Sequence, residues 1–312
     1  MLKTLVAACA LLLAAGPAFA QDTGPSAGIA RLEAEQALFN QVLTFVQPTH
    51  EARTQAAEAL VRQAGFEPAI ETFQGGGRGT PREGRNVVFV VPGNGSAQGE
   101  ILLTAHYDAV ELQGALVDGL VDNAASVVAI VEAARRIRDM GLDHDVRVIL
   151  FDQEELGLIG ARRWIEAHGV ANVAAVVNSD VAAFGDTLMY GQNNGPQSLF
   201  VTQAVQRVCS ERVLQCVGYP NYPPSDDRAF SAAGAPVVSL GFQHQVGAHQ
   251  MWLAFNAPQG QSGLAEGFMP EVFAVIHSPS DTAERVEAST LLVAAETYAA
   301  VVAELDRSVP AQ

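Results

Sequence analysis

An α/β sandwich built on a mainly parallel central sheet is the architecture this chain predicts, and three observations carry it. Short β-branched or aliphatic runs alternate with segments of helical periodicity along the 312 residues. Hydrophobic residues make up 49% of the chain, enough at this length to bury a core. Acidic and imidazole side chains follow directly on several of the strand-like runs, at the edge where open α/β sheets bind ligands.

Residues 1–20 carry Lys3, an apolar run over 5–15 and then Ala18-Phe19-Ala20, which reads as a secretory signal with a small-residue cleavage site. The mature chain is then expected to begin near Gln21, and residues 21–312 to form one domain. No later run reaches the ~18 apolar residues that a membrane span needs. Lys3 is the only lysine, so a formal charge of −16 becomes still more negative once the signal is removed. Such an acidic surface argues against nucleic acid as a partner. Of three cysteines only Cys209 and Cys216 would remain, and an even pair in an exported protein predicts a disulfide.

After a polar leader at 21–28, residues 29–64 show helical periodicity broken near Pro48, giving two scaffold helices. Residues 66–73 suit a strand, and 75–79 form a flexible loop leading to an exposed segment through Glu83. Runs 86–91 and 101–104 read as neighbouring strands across the turn cluster 92–99. The second runs straight into Ala105-His106-Tyr107-Asp108, and Asp122 opens a helix reaching about Met140. Residues 148–164 read as strand, turn and helix. Glu154 and Glu155 stand at the strand's carboxyl end, and Leu156, Ile159, Gly160 and Trp164 recur on one helical face. Asp180 falls just past the apolar run 173–178. Beyond it come a helix over 196–208, a short one over 225–233 capped by Ser225, and a strand over 236–240. Residues 241–276 are rich in Gly and Gln without clear periodicity, as in a functional or disordered loop, and 288–305 form a last amphipathic helix.

His106, Asp122, Glu155, Asp180 and His277 supply two imidazoles and three carboxylates, most of them at strand-to-loop junctions. Zinc prefers this nitrogen and oxygen set. One site needs three or four protein ligands, so five ligands with a bridging carboxylate suit two ions roughly 3.5 Å apart. Asp108 is spaced to accept the other ring proton of His106. Adjacent carboxylates can divide the labour, one holding metal and the other moving a proton, although Glu154 and Glu155 would also favour a helix N-terminus.

AHYDAV at Ala105, GLVDNAAS at Gly119, FDQEELGLIGA at Phe151, NSD at Asn178, SDDRAFSAAGAP at Ser225 and HSPSDT at His277 resemble, in that order, the di-zinc aminopeptidase family of metallopeptidases. That family also contains glutamate carboxypeptidases and glutaminyl cyclases. The resemblance covers roughly residues 85–302 and implies a three-layer α/β/α sandwich. It implies that His106 and Asp180 hold one zinc, Glu155 and His277 the other, and that Asp122 bridges both, with Glu154 as general base. It also implies a cis Asp122–Asn123 bond and places Tyr222 where some members have a tyrosine that stabilises the oxyanion. Gln153, Asp227 and Ile276 depart from the family's usual glycine, histidine and tyrosine. Arg228 is the candidate clamp for a substrate carboxylate, and His244, His249 and Trp252 are the candidates for a specificity pocket. His50, His144 and His168 read as ordinary surface residues.

The implied activity is removal of N-terminal residues with apolar side chains from peptides by a zinc-activated water. The rivals are a glutaminyl-peptide cyclotransferase with one zinc, a carboxypeptidase or dipeptidase on the same scaffold, and a secreted metal-binding protein without activity. Glu154 argues against the last, and Asn123 after Asp122 resembles the hydrolase pattern more than the cyclase one, where serine is common.

Overall fold

Alternation along the strands decides the layers. In the structure, a computed structural model that describes residues 25–77 and 80–309, successive strand residues bury to opposite sides. The signal sequence expected at 1–20 lies outside the described residues. The strands are β1 (Ala69–Gly75), β2 (Arg82–Val91), β3 (Glu100–His106), the small hairpin β4 (Glu111–Leu112) and β5 (Ala115–Leu116), β6 (Asp145–Phe151), β7 (Val173–Ser179), β8 (Thr187–Gly191), β9 (Cys216–Tyr219) and β10 (Val237–Gln243). The helices are α1 (Pro25–Leu43), α2 (His50–Gln63), α3 (Ala125–Ile137), α4 (Ile159–His168), α5 (Leu199–Glu211), α6 (Asp227–Ala232), α7 (Gln245–Asn256), α8 (Glu271–Val275) and α9 (Ala288–Ser308).

Val87, Ile101, Leu103 and Val148 face the core shared with α1, α2, α3, α5 and α9, whereas Val88, Leu102 and Ile149 face Trp164 of α4 and Phe230 of α6. The result is an α/β/α sandwich. Its sheet, in the order β1-β2-β6-β3-β7-β10-β8-β9, is parallel from β6 through β10 and again at β8–β9, and antiparallel elsewhere. β6, β3 and β7 are therefore adjacent and parallel, so their carboxyl ends open at one place. Helix α9 is long and apolar enough to cross a membrane, but 67% of its apolar window is buried inside the fold.

Cys209 and Cys216 form a disulfide joining the end of α5 to the start of β9. Several local expectations are corrected. Residues 241–276 are not a structureless loop: they finish β10 and hold α7 and α8, whose apolar faces are short enough to hide in a Gly- and Gln-rich composition. Ser225 does not cap α6 with its side chain; its backbone N–H instead donates to Asp227 Oδ1 at 3.0 Å. Leu156 precedes α4 and is exposed, so only Gly160 and Trp164 of the expected face are buried. His144 is buried and its Nδ1 lies 2.8 Å from Asp306 Oδ1. β8 and β9 carry too few residues to register as apolar runs.

Helix α2, read from sequence as scaffold, does more than fill a layer. Thr49 Oγ1 accepts from the Ala52 N–H and starts it. One turn on, Arg53 is fully buried and donates to the carbonyls of Phe45 at 2.8 Å, Tyr107 at 2.8 Å, Asp118 at 2.6 Å and Gly119 at 3.2 Å. Burial draws its guanidinium down to about 10, which leaves it charged at neutral pH. It thereby ties the segment after β3 to the segment before Asp122. Replacing it by an apolar residue orphans three buried carbonyls and one half-buried one, each buried one costing about 1–3 kcal/mol. Arg53→Met is expected to lower unfolding free energy by roughly 3 kcal/mol or more in a urea titration; a loss below 1 kcal/mol would show that the clamp is dispensable.

Candidate metal centre

The carboxyl ends of β3, β6 and β7 deliver the site. His106 is the last residue of β3, Glu154 and Glu155 follow β6 after a short turn, and Asp180 directly follows β7. Asp122 arrives from the irregular turn before α3 and His277 from the turn after α8. Asp122 stands in the middle. Its Oδ1 lies 3.1 Å from His106 Nε2, and its Oδ2 lies 3.0 Å from His277 Nε2. His106 Nε2 is also 3.9 Å from Asp180 Oδ1, and His277 Nε2 is 3.2 Å from Glu155 Oε2. Two trios result, His106–Asp122–Asp180 and Asp122–Glu155–His277, each with its ligand atoms within 4.8 Å of one another. They share one carboxylate, and Glu154 lies beside them in a third group with His106 and Glu155.

This donor set fits cations. Burial first, then the Asp122 charge, pushes Glu155 up to about 7 and Asp180 up to about 6. Burial pushes Glu154 up to about 10, helped by Asp226, Asp180 and Glu155 and opposed by His106. Asp122 moves the other way: burial opposes ionisation, but the paired imidazoles of His106 and His277 hold it below the ordinary carboxylate range. Hydrogen bonds to Asp122 and Glu155 raise His277 to about 11. Imidazole–carboxylate contacts thus knit the cluster together. Glu155 Oε1 is buried with no hydrogen-bond partner among the described residues, and so are both oxygens of Asp226. Unpaired buried oxygens beside imidazoles are what N- and O-liganded zinc would satisfy.

Backbone contacts fix the arrangement. Asp108 Oδ1 lies 3.3 Å from His106 Nδ1, and the Asp108 carboxylate also accepts from the N–H groups of Glu154 at 3.0 Å and Glu155 at 3.2 Å. Asn123 donates to the Ser179 carbonyl and accepts from the Val181 N–H, and the Asp122–Asn123 peptide bond is cis. Asp281 accepts from the N–H groups of Leu120 at 2.9 Å, Val121 at 2.6 Å and Asp122 at 3.0 Å. Neither Asp281 nor Arg53 was singled out in the sequence. Asp281 could have been, because it lies in the HSPSDT segment.

A cavity of about 230 Å³ opens from the centre, walled by Val181, Met189, Met251, Val272, Phe273 and Ile276. Tyr222 lines it too. A β-carbon at Gly241 would meet the Tyr222 hydroxyl at 2.8 Å and the Asp180 carbonyl at 2.4 Å, so glycine is needed there. The expected pocket residues in and just before α7 are not on this wall: His244 Nε2 pairs with Glu287 at 3.0 Å, His249 is exposed, and the Trp252 indole donates to the Gly218 carbonyl. Their neighbour Met251 faces the cavity instead. Arg228 also turns away, donating to the Asn193 and Tyr222 carbonyls at 3.2 Å and 3.0 Å.

Residues 86–302, well over half of the chain, match peptidase family M28. The chain belongs to this family. It is 26% identical over 216 residues to the alkaline phosphatase isozyme conversion protein of Escherichia coli strain K12, covering 57% of this chain and 61% of that protein. It is 28% identical over 117 residues to aminopeptidase YwaD of Bacillus subtilis strain 168, covering 37% and 22%. The chain thus matches less than two thirds of the length of either relative. Among solved structures, an aminopeptidase from Aneurinibacillus sp. strain AM-1 aligns with a TM-score of 0.66 at 13% identity over 87% of this chain and 94% of that one. A glutaminyl cyclase of Porphyromonas gingivalis aligns with a TM-score of 0.63 at 18% identity over 89% and 98%. At these identities the likeness is one of fold.

In this M28 chain the departure at Gln153 has a local account. Its φ is 63°, a left-handed conformation that suits glycine, and its amide compensates by accepting from the Gly76 N–H at 2.8 Å and reaching the Arg82 carbonyl at 3.3 Å. Asp227, where a histidine was usual, is buried and accepts from Asn194 Nδ2 at 2.8 Å. Because Asp281 holds three consecutive N–H groups that aim Asp122, Asp281→Asn is expected to weaken zinc binding by roughly 10–100-fold in a competition titration with a chromophoric chelator. Unchanged affinity would mean that the turn keeps its shape without the carboxylate.

Proposed function

We propose that the chain is an exported aminopeptidase that hydrolyses N-terminal residues from peptides with two zinc ions per chain. The observation that carries this reading is Asp122, whose two oxygens face two separate imidazole–carboxylate pairs while Glu154 stands alongside. His106 and Asp180 would hold one ion, Glu155 and His277 the other, and Asp122 both. Zinc would supply acidity to a bound water and polarisation of the scissile carbonyl. Export is supported by the leader expected at 1–20 and by the Cys209–Cys216 disulfide.

The chain's own residues supply the rest. Glu154 takes a proton from the attacking water as its oxygen bonds to the carbonyl carbon. Glu154 then gives that proton to the departing nitrogen as the C–N bond breaks. Burial that raises its affinity for a proton suits it to hold one between those steps. Asp108 orients His106 by facing the ring nitrogen turned away from the centre. Tyr222, lining the cavity, is the chain's hydroxyl donor for the developing oxyanion. The free amine would meet the carboxylates, and the first side chain would enter the apolar cavity, whose size suits a single residue.

Glu154→Gln is expected to lower kcat by roughly 10²–10⁴-fold while zinc content stays at two per chain, whereas Glu155→Gln should lose about one zinc by elemental analysis. Near-normal turnover in Glu154→Gln would reassign the base. Chelation should abolish hydrolysis of leucyl anilides and added zinc restore it, and N-acetylated peptides should resist cleavage. One zinc per chain, with pyroglutamate released from an N-terminal glutaminyl peptide, would instead establish the cyclotransferase.

A further inference from the structure

The apolar cavity carries one residue that its character does not call for. Apart from the candidate ligands, Glu154 and Tyr222, Gln243 is the one hydrogen-bonding side chain among the described residues that line it. It ends β10 and is 1% exposed. Its Nε2 donates to Met251 Sδ at 3.4 Å, and its Oε1 is buried with no hydrogen-bond partner among the described residues. Met251 lies on α7 and lines the cavity in its turn.

Helix α7 is shaped to accept this amide. A β-carbon at Gly247 would stand 2.5 Å from Gln243 Oε1. Gly247 is four residues before Met251, so the two share a face of the helix and the amide sits against both. The backbone at Gly247 is helical and its φ is not positive, so the amide, and not a turn, is what requires glycine there. A glycine weakens a helix, and an unpaired buried acceptor weakens a fold. An aliphatic residue at 243 with alanine at 247 would avoid both costs. What the pair adds is a hold on Met251.

That hold matters because of what methionine is. An unbranched thioether with three rotatable bonds reshapes itself around different ligands, which is why methionine recurs on permissive binding surfaces. The other methionine on the wall is held in the same way, with the Tyr219 hydroxyl donating to Met189 Sδ at 3.1 Å. Polar partners thus turn two flexible side chains into fixed boundaries.

We infer that Gln243 is a positioning residue that sets substrate size: by pinning Met251 it gives the cavity a fixed boundary, so that N-terminal residues with compact aliphatic side chains are preferred over those with aromatic rings. The inference rests on the aminopeptidase reading of the metal centre and deepens it. A fixed wall penalises an oversized side chain because packed groups must be displaced, whereas a mobile one yields.

The test compares kcat/KM of the zinc-loaded protein for the p-nitroanilides of leucine and phenylalanine. Leucine is expected to exceed phenylalanine by roughly tenfold or more. Gln243→Ala should bring that ratio close to one through a lower KM for the phenylalanine substrate, whereas a general loss of structure would lower kcat for both. Gly247→Ala should lower the ratio by displacing the amide, and should have no further effect once residue 243 is alanine. Gln243→Met keeps the volume without the donor; it should lower the ratio less than Gln243→Ala, and it is the variant to read where the alanine does not fold. A wild-type ratio near one overturns the inference, and so does a ratio unmoved in whichever of the two Gln243 variants is folded and zinc-replete. If neither anilide is cleaved, the aminopeptidase reading fails and takes the inference with it; if both are cleaved and the ratio does not respond, only the role of Gln243 fails.

Discussion

Burial of several carboxylates side by side is the constraint on which the rest of this structure depends. Asp122, Glu154, Glu155, Asp180 and Asp226 converge at one end of the sheet, and all but Asp122 are pushed toward the protonated form. Burying charges of one sign is costly unless opposite charge or hydrogen bonds compensate. Two imidazoles provide part of that compensation. Asp226 has both oxygens unpaired among the described residues; burial pushes it toward the protonated form against the His106 charge, and its own charge adds to the upward pressure on Glu154. The same crowding favours a bound cation, in keeping with the zinc dependence that the family implies.

Such a cluster does not assemble by side-chain preference alone, so the backbone around it is held from several directions. Asp281 fixes the three N–H groups ending at Asp122, Asp108 fixes those of Glu154 and Glu155, Asn123 joins the ends of two segments, and Arg53 draws four carbonyls together from behind. Each uses a charged or amide side chain to bind main-chain groups rather than other side chains. Main-chain groups cannot rotate away, which gives the candidate ligands a fixed origin. Gln153, Val181 and His277 all adopt positive φ next to the site, so the turns that present the ligands are themselves unusual backbone.

What could be read in the sequence follows from the range of the interactions. The α/β/α layering was legible because strand alternation and helical period are local, and the runs at β3, β6 and β7 are long enough to show them. The five candidate ligands and Glu154 were legible because each sits at the end of such a run or in a recognisable segment, and the structure brings them together. Helix α7 was missed because its apolar side chains are diluted by Gly and Gln. Arg53 was missed because a lone arginine in a helix gives no sign that it is buried. Arg228, the candidate clamp, turns away for a similar reason: whether a long side chain points inward depends on carbonyls at Asn193 and Tyr222 that no local pattern reveals.

The apolar cavity and the more polar cleft beside Glu155 are built from different parts of the chain. The apolar one has walls contributed by β8, α7 and α8, the elements least visible in the sequence, whereas the polar one is built from α2, β2 and the turn after β6. Burial of a side chain in the first contributes binding in proportion to apolar area and discriminates weakly between similar residues. Substitutions in α7 and α8 that reshape this wall would therefore retune which side chain the cavity accepts by modest factors.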